Sequence, residues 1–400
     1  MAYPDHGRAD RRTFLARSAA LGGLGLVGGC ATAPAPQPPA AIGFRRPPPL
    51  APILARPDRI MNITVCSRPF RPAGPRLDTE RVGDKLVVHN YGHGGSGWSL
   101  AWGSGLIAVG KALSGGEKEV AVIGCGALGL TAAIVAQRAG ARVTIYAKEQ
   151  LSDTRSARAT GMWSPDSRIA LRSAVGPQFA AMWEEMARAS FRIHQRYLGL
   201  ADKPVTWTER YSLFDGPRRG IPDPIGFATF GGRLADLTPA SEPAEPGTHP
   251  FAQATVRRAS MPIFNITEYG RVLTSDFLLA GGRIERREFH APSELSGLRE
   301  KVIINCTGYG ARALWKDETL VPVRGQIAWL VPQPEVTYGL FYDGVSTLSR
   351  RDGIAVQRLG ADEGYGYDDP SETPDRAASE ADVATIARVF APAGNRMAAA

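Results

Sequence analysis

Cysteine is scarce in this sequence, and neither a membrane-spanning apolar segment nor a dense run of basic residues stands out. The 400 residues contain four cysteines, and their spacing matches no zinc-binding pattern. If Cys30 is lipidated, as its surroundings described below suggest, three cysteines remain: Cys66, Cys125 and Cys306. An odd number of thiols argues against a disulfide framework. We therefore expect neither a metal site nor a disulfide-stabilised fold.

The net charge of +8 is concentrated near the N-terminus. Residues 1–57 contain seven arginines and two aspartates, which leaves a net charge of only about +3 for the rest of the chain. Nucleic-acid binding requires a dense basic face, so we expect no nucleic-acid partner.

The N-terminal residues have the three-part pattern of an export signal. The pair Arg11-Arg12 precedes an uncharged run, Ser18–Gly29, that is shorter than the roughly 20 residues needed to span a bilayer. The pair resembles a twin-arginine signal, and "LVGGC" ending at Cys30 resembles a lipoprotein processing site. We expect an export signal over 1–30 and a proline-rich linker over 31–57. The protein would be periplasmic, or anchored to a membrane through an acylated Cys30; a cytosolic protein with a basic leader is the alternative.

A nucleotide-binding unit is predicted within residues 117–149. Gly124, Gly126 and Gly129 have G-x-G-x-x-G spacing, with Ala127 between them. The first glycine permits a tight turn, the second lets backbone N–H groups approach a pyrophosphate, and the third packs the helix on the strand. The flanking elements are the strand Val120–Ile123, the helix Leu128–Ala139 and the strand Arg142–Tyr146.

The end of the second strand departs from the usual pattern, which places an acidic residue there to bind ribose hydroxyls. This chain has Lys148 followed by Glu149. Either Glu149 binds the ribose, or Lys148 binds a 2′-phosphate, which keeps NADP as an alternative cofactor.

Together with the glycine turn, several longer motifs resemble the D-amino-acid oxidase family of flavoenzymes over roughly residues 60–370. The motifs are "RPFRPAGPRL" from Arg68, "VVHNYGHGGSGW" from Val87, "TRSARATGMWSP" from Thr154, "VIINCTGYGARAL" from Val302 and "LVPVRGQIAWL" from Leu320. The resemblance implies an α/β fold with a Rossmann-like FAD-binding domain and a sheet-rich substrate domain. The predicted boundaries are 116–165 with 301–325 for the FAD domain, 166–300 with 326–370 for the substrate domain, and 371–400 for a C-terminal helix and tail.

The order of these motifs differs from that of the family. There the "RPxRP" and "HNYGHGG" segments close the chain, whereas here residues 58–115 carry them before the nucleotide-binding unit. This order looks like a circular permutation, with residues 113–119 as the new join and 58–115 completing the FAD and substrate site. A gene-fusion artefact is the alternative.

The resemblance implies FAD as the cofactor and assigns residues to hold it. Gly124, Gly126, Ala127 and Gly129 face the pyrophosphate, and Lys148 and Glu149 the ribose. The positions that run beside the pyrophosphate and flavin are Arg155, Ser156, Thr160, Gly161 and Met162. Phe289 lies near the adenine. The turn against the pyrimidine edge of the flavin consists of Gly94, Gly95, Ser96, Gly97, Trp98 and Ser99.

The resemblance also implies an activity, the oxidative deamination of a D-amino acid. Arg68 matches the arginine that binds the substrate carboxylate, placing Cα–H over flavin N5 for hydride transfer; an imino acid, then a 2-oxo acid, would result, and dioxygen would yield peroxide. The electron acceptor stays open. The family has two active-site tyrosines in the region that corresponds to residues 340–350; Tyr342 is the only tyrosine there, and it does not align clearly with either. Arg350 or Arg351 would favour an acidic substrate. An NADP-linked reductase and a catalytically degenerate flavin-binding envelope protein are the alternatives.

Overall fold

The structure is a computed structural model that describes residues 50–217 and 220–391. The predicted export signal and most of the predicted linker lie outside these residues, so export and lipidation stay predictions. The strands are β1 Ile60–Phe70, β2 Thr79–Val82, β3 Lys85–His89, β4 Glu119–Ile123, β5 Arg142–Ala147, β6 Val205–Phe214, β7 Glu242–Pro243, β8 Thr255–Phe264, β9 Arg283–Arg286, β10 Val302–Asn305, β11 Val321–Leu330, β12 Tyr338–Tyr342, β13 Val345–Arg350 and β14 Gly353–Arg358. The helices are α1 Gly97–Ala112, α2 Ala127–Arg138, α3 Pro177–Gln195, α4 Ile266–Leu279, α5 Ala311–Leu314 and α6 Arg376–Phe390.

A six-stranded sheet, here called the nucleotide sheet, has the order β2-β3-β10-β4-β5-β9. Its strands from β3 to β9 run parallel, and β2 pairs antiparallel at the edge. Alternate residues of β4 enter separate apolar clusters on the two faces: Val120 and Val122 pack beneath α1 and α2, while Ala121 and Ile123 pack with Leu298. Burial on both faces explains the unbroken apolar run. The loops after β3, β4 and β10 emerge together at the carboxyl edge of this sheet.

An eight-stranded sheet, here called the larger sheet, has the order β1-β11-β14-β13-β12-β6-β8-β7. Strand β1 pairs antiparallel with β11, so residues 58–115 supply β1 to the larger sheet and β3 to the nucleotide sheet. Val383, Ile386 and Val389 of α6 pack on one face of the larger sheet. The mixed α/β fold with two sheets confirms the predicted class.

Part of the segment assigned to the substrate domain belongs elsewhere. Strand β9 pairs with β5 in the nucleotide sheet. Helix α4 precedes it and buries Leu273 and Phe277 in the apolar cluster that contains α2. The chain therefore returns to the nucleotide sheet well before residue 300, because the apolar face of α4 is buried against α2.

The described end of the predicted linker is packed and not an extended tether. Ile53 and Ala55 are buried in the cluster beneath α6. The backbone N–H of Leu54 donates to Gln333 Oε1 at 2.8 Å, and the Tyr338 hydroxyl donates to the Ala51 carbonyl at 2.7 Å. Within the described ranges, no helix is long and apolar enough to cross a membrane.

Candidate cofactor and substrate site

A cavity of about 990 Å³ lies at the carboxyl edge of the nucleotide sheet, and Gly325 and Ile327 of β11 contribute to its other wall. Most of the predicted site residues line it. They are Arg68, Gly94, Gly95, Gly97, Trp98, Ser99, Gly124, Gly126, Ala127, Lys148, Glu149, Arg155, Ser156, Thr160, Gly161, Met162 and Phe289. The two glycine turns, at residues 94–97 and 124–129, therefore meet at one cavity although they follow different strands.

The glycines after β4 are required by close backbone contacts. Gly124 has φ +103°, and a Cβ there would lie 2.5 Å from the Cys306 carbonyl oxygen. Gly129 does not line the cavity; a Cβ on it would lie 2.0 Å from the Gly124 carbonyl oxygen. These contacts hold the first turn of α2 against β4 and β10. Gly126, which precedes α2, has no side chain to cap the helix; the Ser156 hydroxyl takes the Ala127 N–H, and the next N–H groups of the first turn are available at the cavity.

The turn after β3 is anchored by a segment from the other side of the cavity. The Gly95 N–H donates to the Ser167 carbonyl at 2.9 Å, and the Ser96 hydroxyl donates to the same oxygen at 3.1 Å. The Ser96 N–H donates to the His93 carbonyl, and Ser96 does not line the cavity. Gly95 and Ser96 are thus not the N–H donors that the resemblance implied. The available donors belong to the first turn of α1, which begins uncapped at Gly97.

Ser156 connects the two helix N-termini. Its hydroxyl accepts a hydrogen bond from the Ala127 N–H at 3.1 Å, and its carbonyl accepts one from Trp98 Nε1 at 2.9 Å. A Cβ on Gly126 would lie 2.8 Å from the Ser156 Oγ. Ser156 therefore sets the distance between α1 and α2 at the cavity.

A buried hydrogen-bond chain supports the start of α1 from behind. His194 of α3 contacts the Trp98 carbonyl through Nε2 at 3.1 Å and the Tyr269 hydroxyl through Nδ1 at 2.8 Å. A carbonyl only accepts, so Nε2 carries the proton and Nδ1 accepts from Tyr269. Trp102 Nε1 in turn donates to the Tyr269 hydroxyl at 2.8 Å. Burial lowers the pKa of His194 to about 3, so the ring is neutral. No sequence motif indicated this residue, since its partners are remote in sequence.

The end of the cavity beside β5 is mixed in charge. Lys148 Nζ lies 3.9 Å from a Glu149 carboxylate oxygen and 3.6 Å from one of Glu288. The Arg287 guanidinium lies 4.8 Å from the centre of the buried Phe289 ring. Lys148 thus has carboxylate neighbours, which weakens the case for a 2′-phosphate there.

The segment 155–162 forms a further wall. Arg155 pairs with Glu372 at 2.5 Å and lies over the Tyr309 ring. Thr160 Oγ1 donates to Gln357 Oε1. Position 161 requires glycine, because its φ is +90° and a Cβ there would lie 2.2 Å from the Phe264 carbonyl oxygen. This wall is fixed by contacts to both β8 and β14.

Arg68 lies on β1 with its guanidinium on the surface of Gly325. A Cβ on Gly325 would lie 2.4 Å from Arg68 Nη2, so only glycine leaves room for the fork. Nη1 donates to the Arg324 carbonyl at 3.2 Å, and no carboxylate of the described residues lies within ion-pair distance. Burial lowers the pKa of Arg68 to about 10, and the nearby charge of Arg168 adds to the effect. Arg68 is therefore a cation that faces the cavity without an anion.

Two other predicted positions do not reach the cavity. Tyr342 donates its hydroxyl to Asp215 at 2.9 Å, and it lies beneath Arg388, because β12 ends away from the site. Arg350 pairs with Asp352 and donates to the carbonyls of Ala159 and Thr160, so it supports the wall. The predictions of a catalytic Tyr342 and of a substrate-binding Arg350 are therefore wrong. Arg168, which no motif indicated, does line the cavity; its place three residues after "GMWSP" was the available signal.

The cavity fits a dinucleotide cofactor. Its volume is at the upper end of the range for small-molecule sites. Gly97 and Gly308 both line it, and a Cβ on either would meet no atom within 4 Å, so the missing side chains leave backbone exposed to a ligand. The N-termini of α1 and α2, neither of which is capped by the side chain of its preceding residue, suit a pyrophosphate and an electron-rich ring edge.

The fold and site define a dinucleotide-binding class of protein, and comparison with known proteins identifies the dinucleotide as FAD. A family model described as FAD dependent oxidoreductase matches residues 119–397. The match covers more than half of the chain, which therefore belongs to this family, and FAD is its cofactor.

Several curated relatives of this chain are amino acid oxidases. The chain is 30% identical over 217 residues to a D-amino-acid oxidase of Streptomyces coelicolor, covering 53% of this chain and 58% of the relative. It is 29% identical over 212 residues to a D-amino-acid oxidase of Rubrobacter xylanophilus, covering 52% and 57%. The chain thus spans a little over half the length of these relatives. A solved L-amino acid deaminase of Proteus vulgaris aligns over 68% of this chain and 73% of its own, with 13% identity and a TM-score of 0.45.

Proposed function

We propose that this protein oxidises an amino acid of D configuration with FAD as the hydride acceptor. The observation that carries the proposal is Arg68, a guanidinium without an anion on the wall of the cofactor cavity. A buried unpaired charge is costly, and a substrate carboxylate would satisfy it in a bidentate geometry. The D-amino-acid oxidases among the relatives support this substrate class.

The residues of this chain bind and orient the substrate. Arg68 holds the carboxylate, and the missing side chain of Gly325 leaves room for the guanidinium against β11. The Phe70–His93 bridge joins the strand of Arg68 to the turn before α1, so the carboxylate site and that turn are held together. Bound FAD would supply the hydride-accepting chemistry, and an acceptor such as dioxygen would take up the electrons. A side-chain base is not required if the amine arrives neutral.

The test is turnover of a panel of D-amino acids, followed as peroxide release or dye reduction. Arg68→Met should lower kcat/KM about 100-fold or more while the flavin absorbance is kept, because the substrate is no longer oriented. Arg68→Lys keeps the charge but loses the bidentate fork, so its kcat/KM should lie between that of Arg68→Met and that of the wild type. Arg81→Met, an exposed arginine on β2, is the control. Equal turnover by Arg68→Met and the wild type would contradict the proposal.

A flavin-binding protein without turnover is the second candidate, and the distant position of Tyr342 favours it. It predicts bound flavin that no amino acid in the panel reduces under anaerobic conditions.

We also propose that the chain is a circular permutation of its family. The family match begins at residue 119, on β4, while residues 58–115 supply β1 and β3 to the two sheets. Ile53 and Ala55 before β1 and Val389 of α6 belong to the same apolar cluster, which supports a short connection between α6 and β1. A chain with residues 58–115 moved behind α6 should bind FAD with an unchanged spectrum. Failure of that chain to fold, with the parent folded, would count against the permutation.

A further inference from the structure

Arg168 is fixed beside the turn that precedes α1. A Cβ on Gly94 would lie 1.9 Å from the Arg168 carbonyl oxygen, and the Gly95 N–H donates to the neighbouring Ser167 carbonyl. Arg168 itself has φ +50°, a left-handed conformation that a non-glycine residue rarely adopts. Strained residues of this kind cluster at functional sites. The backbone contacts thus place a second arginine at the cavity, close enough to Arg68 for its charge to act on that guanidinium.

The Arg168 side chain is held in one orientation with part of its fork unused. Nε and Nη2 donate to the Glu363 carbonyl at 3.2 and 3.0 Å. The guanidinium lies 5.7 Å from the centre of the Phe227 ring, and the side chain is only 10% exposed. No acceptor among the described residues takes a hydrogen bond from Nη1. Arg168 is therefore a largely buried cation whose Nη1 has no hydrogen-bond partner in the described residues.

Three carboxylates lie near Arg168, those of Glu363, Asp223 and Asp362, but within the described residues none of them accepts a hydrogen bond from either guanidinium. Glu363 Oε2 lies 3.4 Å from Arg168 Nη2, but this carboxylate is 41% exposed. Asp223 pairs with Arg172 at 3.6 Å and accepts from the Gly226 N–H, and Asp362 accepts from the Gly364 N–H at 2.8 Å. Binding one carboxylate at Arg68 would leave Arg168 with a partly exposed ion pair to Glu363 and with Nη1 unused. A ligand with two anionic groups would place a charged hydrogen-bond acceptor at each guanidinium.

We propose that the substrate is a dicarboxylic amino acid, whose α-carboxylate binds Arg68 and whose side-chain carboxylate binds Arg168. This inference rests on the proposed function and names its substrate class. It replaces Arg350 and Arg351 as the basis for an acidic substrate, since Arg350 is committed to Asp352 and to backbone carbonyls. Arg168 selects the substrate, and Arg68 orients it.

The test compares acids with their neutral isosteres, D-glutamate with D-glutamine and D-aspartate with D-asparagine. We expect kcat/KM for at least one acid to exceed that of its amide by about 10-fold or more, a ratio that one charge pair supplies. Arg168→Met should reduce the ratio to near 1, mainly through KM. Glu363→Gln should raise it, because the competing carboxylate is removed. Arg172→Met, an exposed arginine at the cavity rim, should leave the ratio within about 2-fold of the wild type by the same measure.

A second readout does not need turnover. In the flavin-loaded protein, succinate should raise Tm more than butyrate at equal ionic strength, and Arg168→Met should remove the difference. Turnover of neutral amino acids without an acid preference, and equal Tm shifts, would overturn the inference while leaving the proposed function intact. Succinate-selective binding without any turnover would instead overturn the proposed function. Opposite effects of Arg168→Met and Glu363→Gln exclude loss of folding as the explanation.

Discussion

The N-termini of α1 and α2 face one cavity, but they are held there in different ways. The turn before α2 is held within its own strand-turn-helix unit and by the Cys306 carbonyl of the neighbouring strand. The turn before α1 depends on Ser167 and Arg168 and on His194 of α3. The α2 turn is therefore determined mainly by a short sequence, with added contacts from Ser156 and Cys306, whereas the α1 turn is determined by the tertiary fold.

The largest expected effect comes from filling either turn. Gly129→Ala places a Cβ 2.0 Å from the Gly124 carbonyl oxygen, and Gly94→Ala places one 1.9 Å from that of Arg168, at φ +55°. Each should lower the free energy of unfolding by about 3 kcal/mol or more and abolish FAD binding, with Gly94→Ala the worse because its backbone is also strained. Denaturant unfolding and bound-flavin absorbance are the measurements.

Gly97→Ala separates folding from cofactor binding in the same turn. A Cβ there meets no atom within 4 Å, so the stability of the flavin-free protein should stay unchanged while FAD affinity falls. Normal FAD binding by Gly94→Ala would show that the α1 turn can move away from Arg168, which would contradict its dependence on that contact.

The second effect concerns pH. Burial lowers the pKa of both His93 and His194 to about 3, well below the ordinary value near 6.5. Folding therefore favours the neutral rings, and the unfolded chain binds more protons between pH 6.5 and 3. Stability is full above about pH 6.5 and decreases as pH falls, by up to about 1.4 kcal/mol per pH unit for each ring.

Variants divide this pH effect between the two histidines. His93→Leu removes a ring whose nitrogens have no partner in the described chain, so it should reduce the slope between pH 7.5 and 5 with little cost at pH 7.5. His194→Phe should reduce the slope too, but with a loss at pH 7.5, because the Trp98 and Tyr269 contacts disappear. His89, whose pKa is also lowered by burial, is common to all variants. An unchanged slope in both would refute this assignment.

A smaller effect is expected at Ser156, the link between the helices. Ser156→Ala removes the acceptor of the Ala127 N–H but keeps the carbonyl that accepts from Trp98. The free energy of unfolding should fall by about 1 kcal/mol, and FAD affinity by roughly 5-fold. Ser114→Ala, at an exposed serine after α1, is the control. Equal FAD affinity in the two variants would mean that α2 alone positions the cofactor.

The same contrast explains what sequence could predict. The α2 unit was confirmed almost to the residue, since its signals are glycine spacing and strand periodicity over a short range. The association of residues 94–99 with that unit came from family resemblance and not from pattern. His194 and Arg168 were missed because their partners lie on remote elements. Tyr342 was misplaced because a residue type near a motif does not determine where its strand ends.

The smallest effect tests whether α1 itself, away from its N-terminus, is an ordinary helix. Gly110 is exposed, and a Cβ there would meet no atom within 4 Å, so Gly110→Ala should stabilise the protein by about 0.5–1 kcal/mol. Gly103, two turns earlier in the same helix, would bring a Cβ within 2.1 Å of the Met186 carbonyl oxygen of α3, so Gly103→Ala should destabilise it strongly. Both variants change one hydrogen to a methyl group in one helix, and denaturant unfolding compares them directly. Opposite signs would locate the anchoring of α1 in its contact with α3, the helix that also carries His194. Two small changes of the same sign would show that α3 can yield, and that the α1 turn is held by Ser167 and Arg168 alone.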